Sequence, residues 1–180
     1  MWLDAATIFQ EPLLVFNRLR RTLVARAPDL FRIPARLMPF ALQQLVMERL
    51  LQRVFKEALA DGDFEFLQDK WLKIEIRDLG LAWFISYQAH QLQIAPQAPR
   101  VDVTFAAALN DLVLIAGRKE DPDSLFFQRR LRIEGDTELG LELKNLLDGL
   151  DLDSLPGLVK LALADLATFV QDGLQPASAA

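Results

Sequence analysis

The sequence predicts an α+β fold: a mainly antiparallel sheet of five to six strands, covered on one face by helices and preceded by an N-terminal helical arm. Three observations carry this. Between Phe64 and Phe105 apolar and polar residues largely alternate, the spacing of strands with one dry and one wet face. On both flanks the apolar residues recur every three or four positions, as on amphipathic helices. The alternating runs are joined by short turns, which implies antiparallel neighbours.

Composition sets the bounds. With 180 residues, 52% of them hydrophobic, the chain suits one domain with a real core and an additional arm. No run of about 18 uncharged apolar residues exists, so no bilayer span is expected. Met1 to Gln10 lacks the basic-then-apolar layout of a secretory leader. There is no cysteine, hence no disulfide framework and no thiolate site. Cytoplasmic residence is expected, with peripheral attachment to the inner membrane open to the basic front end. Residues 1–60 hold nine Lys/Arg against five Asp/Glu, whereas the remainder holds eleven against twenty. That acidic body argues against general nucleic-acid binding, which needs a broad basic face.

Residues 1–33 are read as the arm, with a helix from Pro12 to about Ala27 that Pro28 stops. Leu13, Phe16, Leu19, Leu23, Val24 and Ala27 share a side; Arg18 and Arg21 lie opposite, and Arg20 interrupts the apolar stripe. Two readings fit: a helix packed on its own domain with a solvated basic side, or one lying on anionic lipid. Residues 34–172 form the domain. Pro34 and Pro39 lead into a helix from Phe40 to Ala60, whose face of Met47, Leu50, Leu51, Val54, Phe55 and Ala58 would cover the sheet. Phe64–Gln68, Trp71–Asp78, Leu81–Tyr87, Gln91–Ala95 and Val101–Phe105 read as strands. A helix follows from Ala107 to Ala116, closed by Gly117.

Asp121 to Leu150 is the organising stretch. Asp121-Pro122 is a helix start, and Leu125, Phe126 and Phe127 follow one turn later. Leu131 and Ile133 alternate with Arg130, Arg132 and Glu134 as a further strand, which Gly135 ends. Asp136 caps a helix striped by Leu139, Leu143, Leu146, Leu147 and Leu150, with Gly149 as its stop. A last helix runs from Leu155 to Val170, and residues 173–180 read as a disordered tail.

The inventory for chemistry is poor. His90 is the sole histidine and falls in a hairpin turn without a positioned partner. Ser86, Ser124, Ser154 and Ser178 sit in no nucleophile elbow. Asp121 and Asp123 lack His or Cys support as metal ligands, and the scattered glycines form no phosphate loop. No catalytic residue, metal site or cofactor is expected. What abounds is apolar helix surface, and the pattern fits a closed core or a walled lipid cavity equally well.

The string LFFQRRLRIEGDTELGLELKNLLD from Leu125 to Asp148 closely resembles the C-terminal half of sterol carrier protein 2 domains. Arg132 to Gly140 is its most specific part, and VDVTF at Val101–Phe105 and RKEDPDSLFFQRRL at Arg118–Leu131 extend the likeness over roughly residues 31–150. Within that family the sequence is most similar to the UbiT-type accessory factors of bacterial ubiquinone biosynthesis. The resemblance implies a sheet of about five strands with a hydrophobic tunnel beneath its helices, and no chemistry of its own. It implies a role in the oxygen-independent route, beside the iron-sulfur hydroxylase proteins UbiU and UbiV and other enzymes of ubiquinone biosynthesis. There the family would hold or present polyprenylated quinone intermediates.

On that basis the tunnel is expected to be lined by Phe105, Leu112, Phe126, Leu139, Leu143, Leu146, Leu158, Leu166 and Phe169. Arg18, Arg20, Arg21 and Arg26 would touch the membrane. The alternatives are a scaffold with no ligand, a general phospholipid or fatty-acyl carrier, and an enzyme acting on a lipid thioester or quinol that would need His90.

Overall fold

A computed structural model describes residues 5–149, 155 and 157–174, without the side chains of residues 5–17 and Phe31. The predicted apolar positions Leu13, Phe16 and Leu150, and the tail beyond Leu174, lie outside what is described; Gly173 and Leu174 close the last helix.

Among the described residues the alternating segments build five strands: β1 (Leu72–Ile76), β2 (Leu81–Gln88), β3 (Gln91–Ala95), β4 (Val103–Ala107) and β5 (Arg132–Gly135). Their order is β3-β2-β1-β4-β5. The sheet is mixed. The pairs β1–β2, β2–β3 and β4–β5 are antiparallel, but β1 and β4 run parallel. The short-turn argument misses this because the segment between β3 and β4, with Pro96 and Pro99, makes no hairpin. It carries the chain past β2 to the free edge of β1. The β2–β3 turn does behave as expected, with Ala89 and His90 both at positive φ (50° and 60°), as a two-residue primed hairpin requires.

Phe64–Gln68 is not a strand. Its centre, Glu65–Leu67, is a 3-10 turn. Phe64 and Leu67 are three apart and both buried, which that turn allows and a strand would not. Gln68 contributes a lone parallel bridge to Tyr87.

The helix from Phe40 is also divided, into α2 (Phe40–Val54) and α3 (Lys56–Asp61). At the break, Phe55 leaves helical geometry (φ −110°, ψ 29°). Its buried ring meets Phe64 edge-on at 5.4 Å.

The first helix, α1, runs from Ala5 to Leu37, straight through Pro28 and Pro34. A proline removes one N–H and orphans the carbonyl four residues back. For Pro28 that carbonyl is Val24 O, and Asn110 Nδ2 donates to it at 3.2 Å. Val24 is itself buried with Leu114 and Val170. Tertiary packing thus replaces the helix bond, and the expected stop at Pro28 does not occur.

The later helices start where their caps predict. α5 (Pro122–Phe127) is capped by Asp121, which accepts from Ser124 N at 3.0 Å. α6 (Thr137–Asp148) is capped by Asp136, which accepts from Glu138 N and Leu139 N. α4 (Leu109–Ala116) has no side-chain cap of its own. The Asp78 carboxylate, in the β1–β2 turn, accepts from Leu109 N at 3.0 and 3.1 Å instead.

The last helix, α7 (Gly157–Leu174), packs on α1 and α4. A Cβ on Gly173 would lie 2.5 Å from Val24 Cγ2, and one on Gly117 would lie 2.2 Å from Ala167 Cβ. Arg20 Nη1 closes the pair on Asp172 at 2.9 Å. Two cores result. The larger lies between the sheet and α2, the 3-10 turn, α5 and α6; the smaller joins α1, α4 and α7.

Candidate functional site: an apolar groove under the β5 edge

Strand β5 is an edge strand, and its position follows from one glycine. Gly135 has φ 122°, and a Cβ there would sit 2.3 Å from Asp102 O. Only glycine lets the chain pass so close before Asp136 N donates back to Asp102 O. On the other side of the strand's start, Arg130 donates from Nε and Nη2 to the buried Asp111 Oδ1, at 3.0 and 2.5 Å. This ties the approach to β5 onto α4.

Between β5, α5 and α6 lies a groove of ≈ 300 Å³. Its floor is Leu131 and Ile133, its walls Phe126, Leu141 and Leu147. Gly140 keeps α6 close, since a Cβ there would meet Ile133 Cγ2 at 3.3 Å. Phe126 and Phe127 lie edge-to-face at 5.8 Å, both exposed. An adjoining depression shares Phe126, Leu131 and Ile133 and adds Phe127, Arg129 and Arg132.

The rim is charged. Asp123, Glu134 and Asp136 line it with Lys144, whose Nζ lies 3.1 Å from Asp123 Oδ2 and so links α6 to α5 across the groove. The hydrogen bond to Asp123, and then its negative charge, raise the Lys144 pKa above 10.5. A raised lysine pKa means that this contribution is complete at neutral pH and is lost only as pH climbs through the elevated value.

Inward from the groove, the sheet register sets Ile133 beside Phe105, Phe105 beside Ile74, and Ile74 beside Trp83. The four side chains form one row on the dry face. Three strand spacings put Trp83 roughly 14 Å from Ile133. Trp83 is buried, and its Nε1–H meets no acceptor among the described residues.

The nine expected tunnel residues fall into four places. Phe105, Leu139, Leu143 and Leu146 are buried together in the larger core, with Leu112 packed against it. Phe126 lines the groove. Phe169 packs on the smaller core, while Leu158 and Leu166 face outward, 83% and 47% exposed. Of the four arginines, Arg18 and Arg26 are exposed, Arg20 is held by Asp172, and Arg21 is half-buried and engaged. His90 is exposed at its turn, its ring 6.4 Å from that of Tyr87.

Sequence reasoning did not single out Ile133, Leu141, Lys144 or Trp83 for the site. The alternation of Leu131 and Ile133 was visible, but nothing local marks β5 as an edge.

Residues 47–148 match the sequence pattern of the SCP-2 sterol transfer family. The chain belongs to that family. It is 46% identical over 163 residues to the ubiquinone biosynthesis accessory factor UbiT of Escherichia coli strain K12, covering 91% of this chain and 93% of that protein. The UbiT of E. coli O157:H7 is similar to the same degree. Among solved structures, the UbiJ-SCP2 ubiquinone synthesis protein is similar at a TM-score of 0.49 and 19% identity, over 61% of this chain and 97% of that one. Sterol carrier protein domain 2 of Helicoverpa armigera is similar at 0.41 and 22%, over 58% and 85%.

Proposed function

We propose that this protein is a non-catalytic lipid-binding accessory factor of ubiquinone biosynthesis, which holds or presents a polyprenylated quinone intermediate. The observation that carries the reading is the apolar groove beside β5, whose floor residue Ile133 stands in register with Phe105, Ile74 and Trp83 on the dry sheet face. At the inner end of that row lies the buried indole N–H of Trp83, which has no acceptor among the described residues. A quinone carbonyl matches that donor, and an isoprenoid matches the apolar row. The similarity to UbiT supports the pathway. Within it we assign the chain to the oxygen-independent route, delivering its cargo to hydroxylases of the UbiU–UbiV type.

The groove's ≈ 300 Å³ lies at the lower end of the roughly 300–1,000 Å³ of ligand pockets. A long prenyl chain therefore requires α6 to lift. Gly135-Asp136 at its start and Gly149 at its end are the points where the backbone can turn. Organic extraction of the purified protein followed by mass spectrometry tests the reading: a prenylated aromatic or quinone should be recovered. Repeatedly empty extracts, with no uptake from ubiquinone-loaded vesicles, would overturn it.

A second reading is favoured by one observation. Phe105, Leu139, Leu143 and Leu146 are already buried against one another in the larger core, as in a ligand-free scaffold that only assembles other enzymes. Added short-chain ubiquinone separates the two: a ligand of the folded state raises Tm by mass action, while a scaffold's Tm stays put.

A further inference from the structure

Strand β5 ends the sheet, and among the described residues no strand lies beyond it. Which of its backbone groups stay open follows from the ladder. On β4, Ala107 O accepts from Arg77 N on the β1 side, and just before β4 Asp102 O accepts from Asp136 N on the β5 side. Successive residues of a strand turn their N–H and C=O to opposite edges. Arg132 and Glu134, set opposite Ala106 and Thr104, therefore direct theirs to β4, while Ile133 and Gly135 direct theirs outward. Beside that open edge lies the depression walled by Phe126, Phe127 and Arg129, with Phe127 81% exposed. An unpaired edge of this kind is a template for another strand.

Charge selects the occupant and its register. Arg132 and Glu134 are both exposed, and they flank Ile133 symmetrically. In antiparallel pairing with a second copy, about a two-fold axis at Ile133, the two Ile133 residues exchange both backbone hydrogen bonds. Each Arg132 then stands opposite Glu134 of the second copy, in the closer, non-hydrogen-bonded type of pair. A slip of two residues one way would set Arg132 against its own copy, and the other way Glu134 against its own copy. Like charges directly opposite destabilise a pair, so one register is preferred. Edge charges repel an arbitrary strand, but here they are complementary to this chain's own.

We propose that two copies of this chain pair antiparallel through β5, centred on Ile133, into one sheet continuous across both. The axis stands perpendicular to the sheet, so both dry faces lie on the same side and the two grooves open next to each other. The pairing is an isologous contact, and it stands whatever the grooves carry.

Sedimentation of the lipid-free full chain tests it. Wild type should sediment as a dimer at micromolar concentration. Arg132→Glu and Glu134→Arg, each shown to be folded by circular dichroism, should each weaken dimerisation about tenfold or more, because both cross-strand pairs become like-charged. An equimolar mixture of the two variants should dimerise again, since one chain then presents two acids to two arginines of the other. In wild type, amide exchange at Ile133 should slow as concentration rises. A monomeric wild type, single variants that dimerise as well as wild type, a mixture that stays monomeric, or exchange at Ile133 independent of concentration would each overturn the proposal.

Discussion

At the scale of single residues, the decisive contacts are those that satisfy a group left open elsewhere. The Val24 carbonyl loses its helical donor to Pro28 and gains Asn110. Asn110→Ala should cost about 1 kcal/mol in urea unfolding, with amide exchange rising in α1 around Pro28; unchanged exchange there would contradict the account. The indole N–H of Trp83 has no such remedy among the described residues. Trp83→Phe removes an unsatisfied donor with modest loss of volume, so its Tm should stay near wild type while quinone affinity falls severalfold, measured by titration. A Tm loss with unchanged affinity would make Trp83 a packing residue only. The two caps, Asp121 and Asp136, were legible in the sequence because each acts within three residues of itself. Asp78 was not, since the amide it caps lies 31 positions away.

At the scale of elements, periodicity found most of the pieces and misplaced some of their ends. The strands β1 and β3 and helix α6 could be read because one face of each is drier than the other, whereas β2, buried on both faces from Ile85 to Tyr87, shows only as a run of bulky residues between turns. The Phe64–Gln68 segment and the interruption at Phe55 could not, because both follow from the meeting of two rings distant in pattern. The parallel β1–β4 pair depends on where a proline-containing crossover ends, which no local spacing encodes. The connection from β5 to α6 rests on Gly135. Gly135→Ala adds a Cβ 2.3 Å from Asp102 O at a φ of 122°. It should cost about 1–3 kcal/mol from backbone strain alone, read as a lower Tm, and should also loosen the groove. A Tm equal to wild type would mean that the close approach is easily relieved.

At the scale of the whole molecule, family membership was legible because Arg132–Gly140 is distinctive, yet the site was only partly so. The Leu139–Leu143–Leu146 stripe had been placed around a tunnel; it fills the core, and the open space lies beside it at β5. Whether an apolar helix face meets a neighbour or a cavity depends on spacing between elements, which a one-dimensional pattern does not carry. Similarly, the sequence pattern sets Leu50 on the face of α2 that covers the sheet, yet Leu50 is half exposed, as are Leu42, Leu45 and Val46.

The central claim is that an isoprenoid enters at the groove and runs inward over Ile133. Native mass spectrometry with a short-chain ubiquinone, on wild type and on Ile133→Arg, tests it most directly; Ile133 is only partly buried, and a melting curve confirms that the variant is folded. The account predicts one bound ubiquinone per wild-type chain and about tenfold or greater loss of that adduct in the variant. Equal occupancy of a folded Ile133→Arg protein, or a bare wild-type mass at saturating ligand, would contradict it.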